Sequence, residues 1–320
     1  MSPIHPACRK IETDLVAVAA GEAAAAEAHR VQAHVAVCAS CRGDLSRYRA
    51  VEVMLGDLRE SPSPAGDVTL ARAELESRLA DLRRRLLVFG VFASPLGPIL
   101  LARSEEGVSL VQYLDRAGAA SRLAALPGIE AVEDLRETEP LYRDLLDYLR
   151  GRRTRLDWPL DLRLARSDFQ RRVLEVTAGL PYGAVASYAG LARQIGAPSA
   201  TRAVAQALRW NPVPIAIPCH RVIGSSGDLT GYAGNKVALK HRLLALEGVH
   251  VLATRGTHRV DRRTMYARQW GDAEYCLPSC GSLSRRSLAE LELFASRERA
   301  ESTGLAPCTS CRPDLHPLPA

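Results

Sequence analysis

The chain has 320 residues, of which 47% are hydrophobic and 24% charged. That is ordinary globular composition on a length of roughly two domains, and it excludes a disordered chain and a coiled coil. The net charge is +6, and residues 166–250 alone hold ten Arg or Lys against four acids, so the whole excess sits in one quarter of the chain. A localised basic stretch points to a nucleic-acid-facing surface, although only three of the 42 basic residues are Lys, which weakens total basicity as a signal.

The most apolar uncharged stretch, Leu86 to Ala102, is broken by the turn signal Ser94-Pro95-Leu96-Gly97-Pro98 and is too short to span a bilayer. Met1 to Pro6 has no basic n-region and no apolar h-region, so a cytoplasmic protein without membrane contact is expected. Eight cysteines, at 8, 38, 41, 219, 276, 280, 308 and 311, cluster at both ends with one alone. In a cytosolic chain such clusters indicate metal more often than disulfide. The expected division is 1–60, a linker and helix at 61–85, a central unit with subdomains 86–165 and 166–250, and a last unit at 255–317.

In the first unit an Ala-rich helical run, Gly21 to Ala33, leads into His34-x3-Cys38-x2-Cys41, and a second amphipathic helix runs from Asp44 to Leu58. Residues i and i+4 share a helix face, so His34 and Cys38 can grip one ion, Cys41 closes from the next turn, and Cys8 is the fourth tetrahedral ligand. This resembles the anti-sigma-factor zinc-finger family over about the first sixty residues. The resemblance implies a structural zinc and a sigma factor or other protein as partner. Residues 61–67, Ser-Pro-Ser-Pro-Ala-Gly-Asp, read as a linker, and Leu70 to Arg85 as a helix.

In the central unit Leu86–Ala93, Ile99–Ser104 and Val108–Leu114 read as three strands. Helices follow at Gly118–Ala125 and Pro140–Arg150, then a strand near Leu160–Leu164. The pattern turns helical after Ser167. Ser187 caps a helix Tyr188–Ile195, and a second helix runs Ala200–Arg209, a pair with helix-turn-helix spacing. Asn211 to Ile223 is apolar, carries three prolines, and presents Cys219 beside His220 and Arg221. A thiol of pKa ~8.5 needs a base or a positive field to act as a nucleophile. On an extended strand neighbours face opposite ways, so a water relay or a turn is needed to join Cys219 to His220.

The ordered set Pro181-Tyr182-Gly183, Ser187-Tyr188, Arg202-Ala203-Val204, Asn211-Pro212-x-Pro214, Pro218-Cys219-His220-Arg221-Val222, Gly231-Tyr232-x-Gly234 and Glu247-Gly248 resembles the O6-alkylguanine-DNA alkyltransferase family across about residues 86–250. The resemblance implies irreversible transfer of an alkyl group from guanine O6 in duplex DNA to Cys219, one turnover per molecule. It implies a Glu247–His220–water–Cys219 relay, Asn211 bracing the active-site turn, and Tyr188 turning the nucleotide and protonating the departing guanine. It also implies Arg202 as the finger filling the duplex, with Tyr188 and Arg221 in the DNA-binding set. The resemblance implies further that Tyr232, Ala233 and Gly234 line the guanine pocket and that DNA is met through the minor groove. Trp210 and Ala233 depart from the family pattern without removing a catalytic group.

In the last unit, Cys276-x3-Cys280 and Cys308-x2-Cys311 form a four-cysteine zinc signature. The run resembles the Ada-type zinc-binding methylphosphotriester domain, which implies Cys276 as a second methyl acceptor; the alternative is a purely structural zinc held by the same four cysteines. Gly281-Ser282-Leu283 and Thr309-Ser310 stand where that family carries basic residues. The expected fold is α+β and multidomain: a small helical zinc domain, an alkyltransferase with a small β-sheet subdomain and a helical helix-turn-helix subdomain, and a small four-cysteine zinc α+β domain. The expected function is DNA repair with two zinc ions and no organic cofactor. The alternative is an alkylation-damage sensor acting through the N-terminal zinc domain.

Overall fold

A computed structural model describes residues 6–60, 65–114, 118–234, 236–254 and 256–318. The chain divides into two compact units, Met1–Leu79 and Ala80–Ala320.

The first unit is helical: α1 (Pro6–Ala20), α2 (Ala25–Val37), α3 (Ala39–Glu60) and the start of α4 (Ala65–Arg85). Ile11, Leu15, Val31, Cys41 and Leu45 form its core. The helix expected from Gly21 instead starts at Ala25, because Gly21 sits at φ +75° and ends α1. The Glu27 carboxylate then accepts the Ala24 N–H at 2.9 Å. α2 stops at Cys38, which is extended, and α3 begins at once. Of the expected linker, residues 61–64 lie outside the described residues, and 65–67 belong to α4.

In the second unit β1 (Leu86–Phe92), β2 (Ile99–Arg103), β3 (Val108–Tyr113) and β4 (Glu130–Glu133) form a sheet of order β3-β2-β1-β4, with only the β1–β4 pair parallel. The three expected strands are present. β4 was not expected, since four residues with three exposed carry no hydrophobic alternation. α5 (Gly118–Ala124) precedes β4, and α6 (Leu135–Leu149) follows it. α6 starts five residues before the expected Pro140, because the Asp134 carboxylate caps Arg136 N and Glu137 N. The strand expected at Leu160–Leu164 is corrected to a single bridge, Val108 to Leu160, followed by a 3-10 turn. There the buried Asp161 carboxylate takes the hydroxyls of Ser104 and Ser109 and the Arg163 N–H, which fixes a turn instead of a ladder.

α7 (Asp168–Ala178) is capped by Ser167. β5 (Ala184–Ser187) leads into α8 (Tyr188–Gln194), capped by Ser187, and α9 (Thr201–Arg209) completes the helix pair as expected. β6 (Val222–Ile223), α10 (Val237–Leu246), β7 (Val251–Thr254), β8 (Thr257–Val260), β9 (Tyr266–Gln269), β10 (Glu274–Tyr275), β11 (Leu291–Phe294), α11 (Arg297–Glu301) and β12 (Ala306–Pro307) follow.

The second sheet has the order β6-β5-β11-β9. Segments 166–250 and 255–317, read from the sequence as separate units, therefore share one sheet. β11 is buried along its length and pairs antiparallel with β5, covering an edge that β5 would otherwise leave open. Among the described residues no helix is long and apolar enough to cross a membrane.

Candidate active site and cysteine clusters

The active-site turn is built from the chain after α9. Asn211 Oδ1 accepts the Val213 N–H at 3.0 Å, while its Nδ2 donates to the Ile217 carbonyl at 2.9 Å and to Cys219 Sγ at 3.2 Å. This bracing holds buried Ile215 at φ +78°, a strained conformation for a β-branched residue. Cys219-His220-Arg221 is a 3-10 turn, not the extended strand the sequence suggested, so the three side chains fan around one turn.

Glu247, at the end of α10, collects five hydrogen bonds. His220 Nε2 lies 2.6 Å from Oε1, which also accepts from Tyr148 OH and from Arg221 Nη2 at 3.0 Å. Oε2 accepts from Arg221 Nε at 2.8 Å and Gly183 N at 3.0 Å. Burial alone would raise this carboxyl, but the His220 and Arg221 contacts outweigh it and hold it well below the usual carboxylate range. His220 is fully buried, and burial pushes its pKa down despite Glu247, so it is neutral. With Nε2–H on Glu247, Nδ1 is the free base, and it has no protein hydrogen-bond partner.

Cys219 is 7% exposed, and burial pushes its thiol up, partly offset by the Asn211 hydrogen bond and the Lys240 cation. Lys240 is buried with Nζ on the carbonyls of Val222 and Thr230; burial lowers its pKa to about 8. A cavity of about 270 Å³ opens at Cys219, lined also by Tyr188, Arg209, Thr230, Tyr232 and the Ala233–Gly234 backbone. Its size, at the small end for ligand sites, suits a single flat base. Ala233 and Gly234 both have positive φ, which turns their backbone into a wall. Tyr232 OH is held 2.8 Å from Tyr113 OH of β3.

Compared with known proteins, residues 168–249 match the family described as "6-O-methylguanine DNA methyltransferase, DNA binding domain", and residues 8–42 match the "Putative zinc-finger" family. The methylated-DNA–protein-cysteine methyltransferase of Methanosarcina acetivorans is 38% identical over 164 residues, covering 51% of this chain and 99% of that protein. That of Mycobacterium tuberculosis H37Rv is 41% identical over 154 residues, 48% of this chain and 88% of that one. A crystal structure of the M. tuberculosis O6-methylguanine methyltransferase is 38% identical, covers 52% of this chain and 96% of its own, and has a TM-score of 0.45. The chain belongs to the methylated-DNA–protein-cysteine methyltransferase family.

In this family member the structure brings Cys219, His220, Glu247, Asn211, Tyr188, Tyr232, Ala233 and Gly234 together at or around the one cavity. Arg202 lies apart, exposed on the first turn of α9. The expectation that Arg221 contacts DNA is corrected: it is 6% exposed, paired with Glu247, and donates to the Leu180 carbonyl. A guanidinium buried against its carboxylate braces that carboxylate and is not a surface contact. Trp210, the departure noted before Asn211, is half exposed with the Arg166 guanidinium 3.9 Å over its ring. Sequence reasoning missed Tyr148 and Lys240. Tyr148 sits three residues after buried Leu145 on the apolar face of α6, where it reads as an ordinary core aromatic.

Both cysteine clusters form. The ligand atoms of Cys8, His34, Cys38 and Cys41 lie within 4.8 Å of one another, as do those of Cys276, Cys280, Cys308 and Cys311. Zinc–sulfur bonds of ~2.3 Å place tetrahedral sulfurs roughly 3.8 Å apart. Cys8 Sγ and Cys38 Sγ are 3.9 Å apart, and His34 Nε2 is a buried nitrogen without a protein partner, so the first set fits a tetrahedral zinc. In the second, Cys311 Sγ accepts the Leu277 N–H at 3.3 Å, and three of the four sulfur-bearing residues are buried, which suits a zinc-bound thiolate set. The extended Cys38 separates α2, which carries His34, from α3, which carries Cys41.

Proposed function

We propose that the protein repairs DNA by moving the O6-alkyl group of guanine in duplex DNA irreversibly onto Cys219, once per molecule. The observation that carries this reading is a buried thiol that opens onto a base-sized cavity, with Asn211 on its sulfur and a neutral His220 held by an anionic Glu247. The target base must leave the stack to reach the cavity, at a cost of a few kcal/mol that a damaged pair reduces. Arg202, exposed at the start of α9, is proposed to fill the gap from the minor groove.

His220 Nδ1 takes the Cys219 proton through one water, with Glu247 stabilising the imidazolium. The sulfur attacks the alkyl carbon, the S–C bond forms as the C–O6 bond breaks, and the electron pair leaves on O6. Tyr188, lining the cavity, donates a proton to the departing guanine. The product is a neutral thioether, and thioether sulfur is too poor a leaving group to reverse the transfer. Burial raises the thiol pKa, which favours the protonated acceptor at rest.

Zinc is proposed for both clusters, held by Cys8, His34, Cys38 and Cys41 and by Cys276, Cys280, Cys308 and Cys311. Bound zinc would keep these thiolates deprotonated and cross-link short helical and loop segments. Cys276 as a second methyl acceptor, for DNA methylphosphotriesters, rests on the resemblance of its sequence run. A sigma factor or other protein partner for residues 1–60 is supported by the zinc-finger match and by exposed Val51, Val53 and Met54 on α3. Failure of residues 1–60 to retain any such protein removes that proposal.

Labelled methyl transfer from O6-methylguanine duplex tests the main reading. Incorporation should stop at one methyl per chain, and continued turnover would contradict it.

A further inference from the structure

A second opening, a cleft of about 470 Å³, lies where the C-terminal segment meets the loop after the active-site turn. Arg259, Arg262 and Arg263 line it with Ser225, Ser226 and a single acid, Asp261. Asp261 is occupied by Arg263 at 2.8 Å. Arg262 lines the cleft and donates to the neutral carbonyls of Arg286 at 2.8 Å and Leu283 at 3.1 Å, contacts that leave its charge uncancelled. Arg259 is exposed on β8. The lining therefore carries three guanidiniums against one carboxylate, the charge that receives a phosphodiester, while the Ser226 and Ser287 hydroxyls donate to the carboxylates of Asp228 and Glu290.

The cleft is rigid and close to the nucleotide cavity. Gly227 has φ +93°, and a Cβ there would meet the Val260 carbonyl at 2.6 Å, so the loop packs directly on β8. Val260 N donates to Gly227 O at 2.9 Å, and Leu229 N to His258 O at 2.8 Å. Ser226 of the cleft and Thr230 of the nucleotide cavity are four residues apart, a reach of at most ~14 Å. A second link runs through Leu288, a cleft residue whose carbonyl accepts the Ser187 hydroxyl at 2.9 Å, one residue before Tyr188. One DNA strand carries a phosphate per ~3.4 Å of axis, so the two openings are separated by about four phosphates or fewer.

We infer that this arginine-lined cleft holds a backbone phosphate of the damaged strand, a few nucleotides from the flipped base, so that the C-terminal segment extends the DNA footprint. The inference rests on the repair reading. The test uses full-length protein and a fluorescein-labelled 20-base-pair duplex, with Kd measured from 50 to 300 mM salt. Arg259→Gln combined with Arg262→Gln should raise Kd roughly fivefold or more. It should also reduce the slope of log Kd against log salt by about 0.9 for each phosphate no longer neutralised.

Because Arg262 also ties down the 283–286 loop, Ser225→Glu at the exposed loop is the second variant; it adds a repelling charge and leaves both Arg262 hydrogen bonds in place. It should reduce the slope as well. Methylation of Cys219 by the free base O6-methylguanine reports that each variant is folded. Slopes equal to wild type in both variants overturn the cleft assignment. A wild-type protein whose Cys219 accepts methyl from neither duplex nor free base overturns the repair reading itself, and is distinguished by that result.

Discussion

The second unit treats cysteine in two opposite ways. At Cys219 burial raises a single thiol, and the base proposed for it is His220, held by Glu247. At Cys276, Cys280, Cys308 and Cys311 four sulfurs are gathered within 4.8 Å with no base in the set, an arrangement that suits the zinc proposed there. A buried thiol used once stays protonated until it reacts, whereas a zinc-bound thiolate stays ionised. The same residue type serves both ends because its neighbours, not its own chemistry, set its protonation.

The largest effect that sharpens this contrast comes from Cys219→Ser. It should abolish labelled methyl incorporation while leaving zinc content unchanged. Cys280→Ser should instead release one zinc per chain, read with a chromogenic chelator, and lower the thermal midpoint of the second unit. Loss of zinc on Cys219→Ser would break the distinction.

Next in size is Glu247→Gln, which leaves Arg221 buried and unpaired. Single-turnover transfer should fall about 10²–10⁴-fold, because the general base His220 loses the carboxylate that stabilises its imidazolium. Stability should drop by about 3–5 kcal/mol, read by denaturant unfolding. A full transfer rate in this variant would show that Cys219 does not depend on the His220–Glu247 pair.

The pH profile gives a smaller effect with a defined sign. Transfer requires neutral His220, whose pKa is lowered by burial, so the rate should stay flat through neutrality and fall only below the ordinary imidazole value of ~6.5. The Glu247 carboxyl is depressed in the folded state, to about 2. The stability it contributes is therefore present above its unfolded value of ~4.3 and is lost as pH falls toward the folded value. A rate already falling above pH ~7 would contradict a neutral His220.

The smallest effect is expected of Tyr148→Phe. It removes one of three donors to Glu247 Oε1 and should slow transfer about tenfold, in line with a hydrogen bond to a charged group worth ~1.5–3 kcal/mol. The low-pH limb of the profile should move with it, which loss of packing alone would not cause.

The chemistry of the site was legible in the sequence because the Pro218-Cys219-His220-Arg221 run and its flanks carry most of it within forty residues of chain. The part that was not legible depends on groups brought from far away. Tyr148 is 99 residues from Glu247, and nothing in its helix separates it from a core tyrosine. Arg221 was misread as a DNA contact because a basic residue in a basic quarter looks like surface until its buried partner is known. The extended reading of Cys219–Arg221 failed because three nearby prolines suggest a strand, while the 3-10 turn is fixed by contacts to Glu247 and Asn211. The C-terminal segment looked autonomous because its cysteines form a self-contained set, whereas β11 pairs with β5 more than a hundred residues earlier, a non-local ladder that leaves no local mark.

The most direct test of the central claim is peptide mass mapping after incubation with duplex DNA containing O6-methylguanine. The account predicts one methyl, on the peptide carrying Cys219, with every other cysteine unmodified by that substrate. Folded, zinc-loaded protein with an unmodified Cys219 would contradict it.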